Sequence, residues 1–569
     1  MKTDRHGLKL NQKPAHELGR FDLLPRLMRG LLIWTYETVS VKSVLTCVYL
    51  WLICLFAFQA AAQTYKNPVI AGDFPDPSVI RVGSDFYATA TTGGWSPHFP
   101  ILHSTDLVNW QIVGAVFNEK PTWAKGDFWA PEIKVDKGRF FVYYTARRDE
   151  GKNKKGTLCV AVATADKPAG PYTDRGALVC QEMGSIDPDF IRDERGRPFL
   201  IWKEDGNDRN QPTWLYAQEL DESGTKLLGK PQKLFRNTEP WEKHVIEGAY
   251  VLRQGGWFYL FYSGNACCGR ACDYALGVAR SKTLLGKWEK NPANPILPAN
   301  SAWQCPGHGS IVETADGRSF LLYHAYRNRS DAFSIGREAL LDEVKFQNGW
   351  ATINGGRGPS NDVTLPFKNS AQKIDFTNLS DEFNETMLTP SWSQPINEDG
   401  TAHLSNGFLT LAPAGKQFAA EKMPEIVLAE RPVSGSYTAT TRIEFARFKS
   451  DEFAGVAAYS WRGDAVGVSA GNNKIFVWLR ENGKQKEITS VDFPKNQTAI
   501  FLRMTARDGE NYGFSWSADC QTWQAINAPV ADPALEGGRI ALVYNNTTAN
   551  AAARFDWIRV TDEQEARGN

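Results

Sequence analysis

Short runs of β-branched and aromatic residues alternate with Gly, Asp, Asn and Pro turns along most of the chain. No window sustains the spacing of an amphipathic helix. The pattern therefore predicts an all-β protein. From residue 76 onward it also repeats. Each unit has a small leading motif, a strand, a Gly-containing turn, an aromatic strand, and a further strand ending in a polar turn. The units begin DPSVIRVGSDFYATATT, APEIKVDKGRFFVYYTA, DPDFIRDERGRPFLIWKE, EGAYVLRQGGWFYLFYSG and HGSIVETADGRSFLLYHAY.

The lead residues are Asp76, Ala130, Asp187, Glu247 and His308. Successive separations are 54 (76 to 130), 57 (130 to 187), 60 (187 to 247) and 61 (247 to 308) residues. Regular units of this length predict a five-bladed β-propeller over residues 63–360. The innermost strand of each blade lines the central channel. The five lead positions should therefore meet at one end of the axis as a ring of two Asp, one Glu, one His and one Ala. Residues 361–372 read as a polar linker. Alternating strands over 373–562 predict a β-sandwich, and residues 563–569 a polar tail.

Composition narrows the function classes. Lys plus Arg equals Asp plus Glu at 64 each, so the chain carries no basic excess for nucleic acid. With 42% hydrophobic and 12% aromatic residues it is not a disordered chain. Its 19 Trp and 18 Tyr suit sugar faces as well as β cores.

Residues 44–62 form an apolar run ending Ala60-Ala61-Ala62, preceded by Lys42. This predicts a secretory signal cleaved after Ala62, and a secreted or periplasmic protein with no membrane attachment after cleavage. Residues 1–41 are excluded from the fold as a leader. Cys47 and Cys54 fall in the leader region. Seven cysteines remain in a compartment that permits disulfides. Cys159 and Cys180 flank one hairpin-like stretch, and Cys267, Cys268, Cys272 and Cys305 are close in sequence or one blade apart. Cys520 is expected to be left over. The adjacent pair and the lack of a second CxxC argue against zinc.

Three carboxylates at one channel mouth suit acetal hydrolysis. That reaction needs an acid for the leaving oxygen and a base for water, and a third carboxylate can tune the acid. An Asp-Pro alone is more often a strand cap. Two Asp-Pro motifs and a Glu-Gly in three blades favour chemistry.

Phe74-Pro75-Asp76-Pro77-Ser78, Ser185-Ile186-Asp187-Pro188-Asp189 and Glu247-Gly248-Ala249 resemble, in order, the three catalytic motifs of glycoside hydrolase family 43. The resemblance covers about residues 65–360. It implies an inverting five-bladed glycosidase acting on arabinose- or xylose-containing glycans. It implies Asp76 as general base, Glu247 as general acid, and Asp187 as the residue that tunes the acid's pKa. Around Tyr512–Ser517 and Trp523 the C-terminal segment is similar to the concanavalin-like sandwich appended to many members. That domain is expected to be accessory, binding glycan or bracing the propeller.

His308 resembles the family's axial histidine, placed near a central water or calcium ion. No cofactor is otherwise required. Arg337, read as lying on the second strand of blade five, matches a family arginine that reaches the site. Trp95, Phe99, Phe128 and Trp129 are candidates for stacking on sugar at the pocket rim. The chain departs from the family at Cys267–Cys272, where a plain loop is usual, and at Ala249, where Pro is common. Both departures bear on substrate identity.

The expected function is an exported exo-glycosidase releasing L-arabinofuranose or D-xylose, with β-galactofuranosidase as an alternative within the family. Ile186 before Asp187 counts against the retaining fructan-active propellers, which carry Arg-Asp-Pro. A non-catalytic carbohydrate-binding propeller would lack one of the carboxylates. The expected partner is the carbohydrate substrate, with no nucleic acid and no membrane after signal cleavage, and nothing in the sequence sets an oligomeric state.

Overall fold

The structure is a computed structural model. It describes residues 64–562 except 152–153, 365–377, 397–399, 415–424, 445–451, 472, 493–496, 532, 534 and 546–551. The predicted signal sequence with its cleavage point after Ala62, the later part of the 361–372 linker, and the tail lie outside the described residues.

Five four-stranded antiparallel sheets form the blades of a propeller. Their first strands are Ser78–Val82, Ala124–Asp136, Ser185–Arg192, Ile246–Gln254 and Trp303–Glu313. Each first strand packs against the first strands of the two neighbouring blades, and the fifth returns to the first. The blade interior explains the repeat. In blade two the third strand, Leu158–Ala165, is buried at all eight positions, because blades cover it on both faces. The outermost strand, Thr173–Val179, alternates exposed and half-covered residues. Strands buried on both faces read as continuous apolar runs, and half-buried ones alternate.

The ring is closed by the ends of the propeller segment. Thr64–Lys66 pairs antiparallel with Asp362–Thr364. Tyr65 Oη donates to the Leu341 carbonyl at 2.6 Å, and Asn67 Nδ2 donates to the same carbonyl at 3.1 Å. The first residues of the predicted linker are thus a closing strand. Four residues along from Ala130, Lys134 Nζ lies 2.7 Å from Asp189 Oδ1 and 3.0 Å from Glu132 Oε1. It also sits 4.1 Å from the Tyr250 ring centroid. This half-buried cation ties blades two, three and four together.

The C-terminal region is a sandwich of a seven-stranded and a six-stranded sheet. Inward-facing Leu, Ile, Val and aromatic residues of both sheets form one core. The outer face of the six-stranded sheet buries a second cluster that includes Trp95 of the propeller. Gln394–Pro395 pairs with Trp95–Ser96 across this junction. Arg431 Nε donates to the Asp73 carbonyl at 3.0 Å, and its guanidinium lies 4.5 Å from the Phe74 ring. The sandwich therefore grips the segment that leads into Asp76.

Candidate active site

The lead residues meet through a shared backbone irregularity. Asp76 (φ 53°), Ala130 (φ 45°), Asp187 (φ 55°) and His308 (φ 42°) all adopt the left-handed conformation. Non-glycine residues there are uncommon and concentrate at functional sites. In blade four the equivalent backbone position belongs to Gly248 (φ 62°), not to Glu247. The expected register is therefore off by one in that blade. A Cβ at Gly248 would stand 2.9 Å from His308 Cγ, so the crowded axis leaves room only for glycine. Glu247, one residue earlier, lines the cavity.

On the axis, His308 Nδ1 lies 3.4 Å from Asp76 Oδ1 and 3.9 Å from Asp187 Oδ2. Gly248 N donates to Asp187 Oδ2 at 2.9 Å. Asp76, Asp187, Glu247 and His308 line one cavity of about 420 Å³. Asp76, Asp187 and Glu247 are only 8%, 6% and 9% exposed, so they lie at its base. Trp461, Arg462 and Glu536 of the sandwich line the same cavity. The accessory domain thus contributes to the pocket wall.

Asp76 is held as a carboxylate. Burial alone would raise its pKa. Arg337, His308 and His324 outweigh burial and hold it well below the usual carboxylate range. Arg337 Nη1 donates to Asp76 Oδ1 at 3.0 Å, and Thr91 Oγ1 donates to Oδ2 at 2.7 Å. His324 Nδ1 accepts the Asp76 N–H at 3.1 Å. Burial pushes the His324 imidazole down to about 4, so it is neutral at pH 7.

Burial and neighbouring charges set the other two carboxylates differently. Burial pushes Asp187 up to about 6, against the opposing charge of His308 and with the help of Glu247. Burial also acts on Glu247, but Lys203 overrides it and holds Glu247 below its usual value. Lys203 Nζ lies 2.7 Å from Glu247 Oε2 and 2.9 Å from Asp205 Oδ1. Tyr274 Oη donates to Glu247 Oε1 at 3.0 Å. The resemblance implies Glu247 as the acid and Asp187 as the residue that tunes it; in the unliganded site the cation beside Glu247 favours its carboxylate form.

Of the proposed sugar contacts, Arg337 and the half-buried Trp129 line the cavity. Arg337 immediately precedes the third strand of blade five, Glu338–Gln347, and does not lie on the second. Trp95, Phe99 and Phe128 are corrections. Phe99 and Phe128 are fully buried in the core between blades one and two, with ring centroids 5.7 Å apart. His98 stacks on Phe128 at 3.9 Å. Trp95 is 2% exposed under the sandwich, with the Arg539 guanidinium 4.2 Å from its ring. The sandwich covers what the sequence presented as an open rim.

His308 faces two carboxylates that already have partners in Arg337, Thr91 and Gly248 N. Calcium takes six to eight oxygen ligands, and the imidazole offers nitrogen. Among the described residues no group of three or more His, Cys, Asp or Glu is disposed to hold a metal ion. These residues do not form a calcium site by themselves, and no step below runs through a metal.

Sequence reasoning missed Lys203, His324, Tyr274 and Trp461. Lys203 carried a usable signal: a lysine ending the apolar run Phe199-Leu200-Ile201-Trp202 must find a buried partner.

Comparison with known proteins agrees with this architecture. The family model described as Glycosyl hydrolases family 43 matches residues 65–351. The one described as Beta xylosidase C-terminal Concanavalin A-like domain matches residues 380–561. The chain is 29% identical to the xylosidase/arabinosidase 43B of Humicola insolens, over 83% of this chain and 90% of that protein. It is 30% identical to the extracellular exo-alpha-(1->5)-L-arabinofuranosidase ArbA of Cellvibrio japonicus, over 48% of this chain and 84% of that protein. The crystal structure of the GH43 protein BlXynB from Bacillus licheniformis superposes with a TM-score of 0.74 at 26% identity. It covers 88% of this chain and 100% of that one.

Proposed function

The chain belongs to glycosyl hydrolases family 43, and we propose that it is an exo-acting, inverting glycosidase releasing L-arabinofuranose or D-xylose from plant-type glycans or oligosaccharides. One observation carries the reading. A carboxylate held ionised by Arg337 and a second carboxylate from another blade share the base of one cavity. The relatives named as xylosidases and arabinofuranosidases support the choice of sugars.

The roles follow from the surroundings. Asp76, ionised, accepts a proton from water as that water attacks the anomeric carbon. Glu247 gives a proton to the departing oxygen. To do so it must first be protonated, which the Lys203 pairing opposes in the free enzyme. Substrate entering the cavity displaces water around Glu247, and desolvation favours the neutral acid. Asp187, fixed by Gly248 N, adds negative charge beside Glu247 once it is itself ionised, and this raises the acid's pKa in the same direction. Arg337 orients Asp76 and reaches sugar hydroxyls, and Trp129 offers a ring face. Burial of the carboxylates at the cavity base favours a chain end over an internal linkage.

On this reading the protein acts outside the cytoplasm. The apolar run at residues 44–62 supports this, as do the disulfides Cys159–Cys180 and Cys272–Cys305.

Aryl arabinofuranoside, xyloside and galactofuranoside substrates test the reading, with NMR of the first-formed sugar. The expected result is cleavage of the first or second with inverted configuration. Asp76→Asn should be inactive on all substrates, while Glu247→Gln should retain activity only on those with very good leaving groups. Retained configuration, or a glycosyl group trapped on Asp76, would overturn the mechanism.

A further inference from the structure

The loop joining the second and third strands of blade four begins beside Glu247. Those strands are Trp257–Gly264 and Ala275–Ser281. Glu247 pairs in register with Ser263, and Asn265 N donates to the Val245 carbonyl at 3.1 Å. Two residues on, Cys267 and Cys268 are disulfide-bonded to each other. Both line the cavity that holds the three carboxylates.

The loop is pinned on three sides. Cys272–Cys305 ties it to blade five. Arg270 Nη1 lies 2.8 Å from Glu510 Oε1 of the sandwich, and its guanidinium lies 4.7 Å from the Phe333 ring. Gly269 N donates to Tyr326 Oη at 3.4 Å. Cys267 is half-buried against the cluster of Tyr274, Cys305, Tyr326 and Ala332, and Tyr274 is the residue that donates to Glu247. Cys268 is exposed.

We propose that the Cys267–Cys268 disulfide is a wall of the subsite that holds the sugar on the leaving side of the scissile bond. This rests on the reading of Glu247 as the acid. The group that protonates the leaving oxygen marks the leaving-group side of the cavity. The pair stands on the same blade, one tyrosine away from that group. A disulfide between adjacent residues presents a compact apolar sulfur surface without a hydrogen-bond donor, suited to the C–H face of a pyranose or furanose ring. The pinned loop holds that surface in place before substrate arrives.

A pair of substrates separates this subsite from the chemistry. Xylosyl fluoride has no second sugar, whereas xylobiose must fill the subsite; for an arabinose-specific enzyme the pair is arabinofuranosyl fluoride and (1→5)-arabinobiose. Cys267→Ser/Cys268→Ser should lower kcat/KM on the disaccharide about tenfold, mostly through KM. On the fluoride it should stay within about twofold of the parent. An equal fall on both substrates, or no fall on the disaccharide, would overturn the proposal.

A second measurement covers a variant that folds poorly. In the Asp76→Asn protein, the disaccharide should slow phosphine reduction and iodoacetamide labelling of Cys268 at least threefold, while xylose or arabinose alone does not. The Cys272–Cys305 bond serves as internal reference. Labelling of Cys268 unaffected by the disaccharide overturns the subsite. If the parent protein cleaves neither the fluoride nor the disaccharide, the glycosidase reading itself has failed.

Discussion

Lys203 Nζ stands 2.7 Å from Glu247 Oε2, and the lysine is fully buried. A cation of the third blade thus neutralises the residue assigned as the acid of the fourth. Lys203 both positions that carboxyl and opposes its protonation.

Replacing Lys203 separates these effects. In Lys203→Met the acid loses its opposite charge, so its pKa rises. The alkaline limb of the kcat/KM profile should then move up by about one to three pH units. Asp205 and Glu247 are left without their buried partner, so unfolding in urea should show a loss of about 3–5 kcal/mol. An unchanged alkaline limb would mean that Glu247 is not the titrating acid.

Arg337 controls the other limb. Burial raises the Asp76 pKa and Arg337 is the largest influence lowering it. A general base works only when deprotonated. In Arg337→Met the Asp76 pKa should rise, and the acid limb should move to higher pH by about one to three units. The pH profile of kcat/KM on an aryl glycoside measures it.

Gly248→Ala tests the crowded axis. The new methyl group would meet His308 at 2.9 Å, on a backbone with φ of 62°. A stability loss of about 1–3 kcal/mol is expected. The fall in kcat should exceed what the unfolded fraction explains, because Gly248 N holds Asp187.

Trp461 carries the contribution of the sandwich. Trp461→Ala should raise KM roughly tenfold, equivalent to about 1.4 kcal/mol, with kcat changed less. Truncation after Thr364, which keeps the closing strand, removes Trp461, Arg462 and Glu536 together and uncovers Trp95. That protein should be inert even on small aryl glycosides. Full activity there would return the sandwich to a purely accessory role.

Glu430 sets a pH dependence of stability at the junction of the two domains. Burial pushes its carboxyl up to about 8, against the Ser391 hydroxyl that donates to it. In the unfolded chain it titrates near the ordinary value, so between that value and about 8 the folded state binds more protons. Stability attributable to this group therefore falls as pH rises through that window. Glu430→Gln should melt higher than the parent at pH 8 and about the same at pH 4.5. Thermal unfolding at the two values decides it.

The all-β class, the five units and the four lead residues that line the cavity, Asp76, Asp187, Glu247 and His308, were legible in the sequence. Strand periodicity and turn chemistry are local, and a repeat makes equivalent positions converge whatever lies between them. Asp76, Asp187, Glu247, His308 and Arg337 accordingly meet in one cavity. What the tertiary structure alone decided was which groups face one another across blades and domains. The one-residue shift in blade four depends on Gly248 fitting against His308, a contact between residues 60 positions apart. The protonation order of Asp187 and Glu247 depends on Lys203, whose charge acts through space at 2.7 Å in a site with little water to screen it. Trp95, Phe99 and Phe128 sit in a sequence context that suits a pocket rim, and packing against a neighbouring blade or the sandwich made them core. Burial and charge pairing arise from contacts distant in sequence, and so they appear only when the chain is folded.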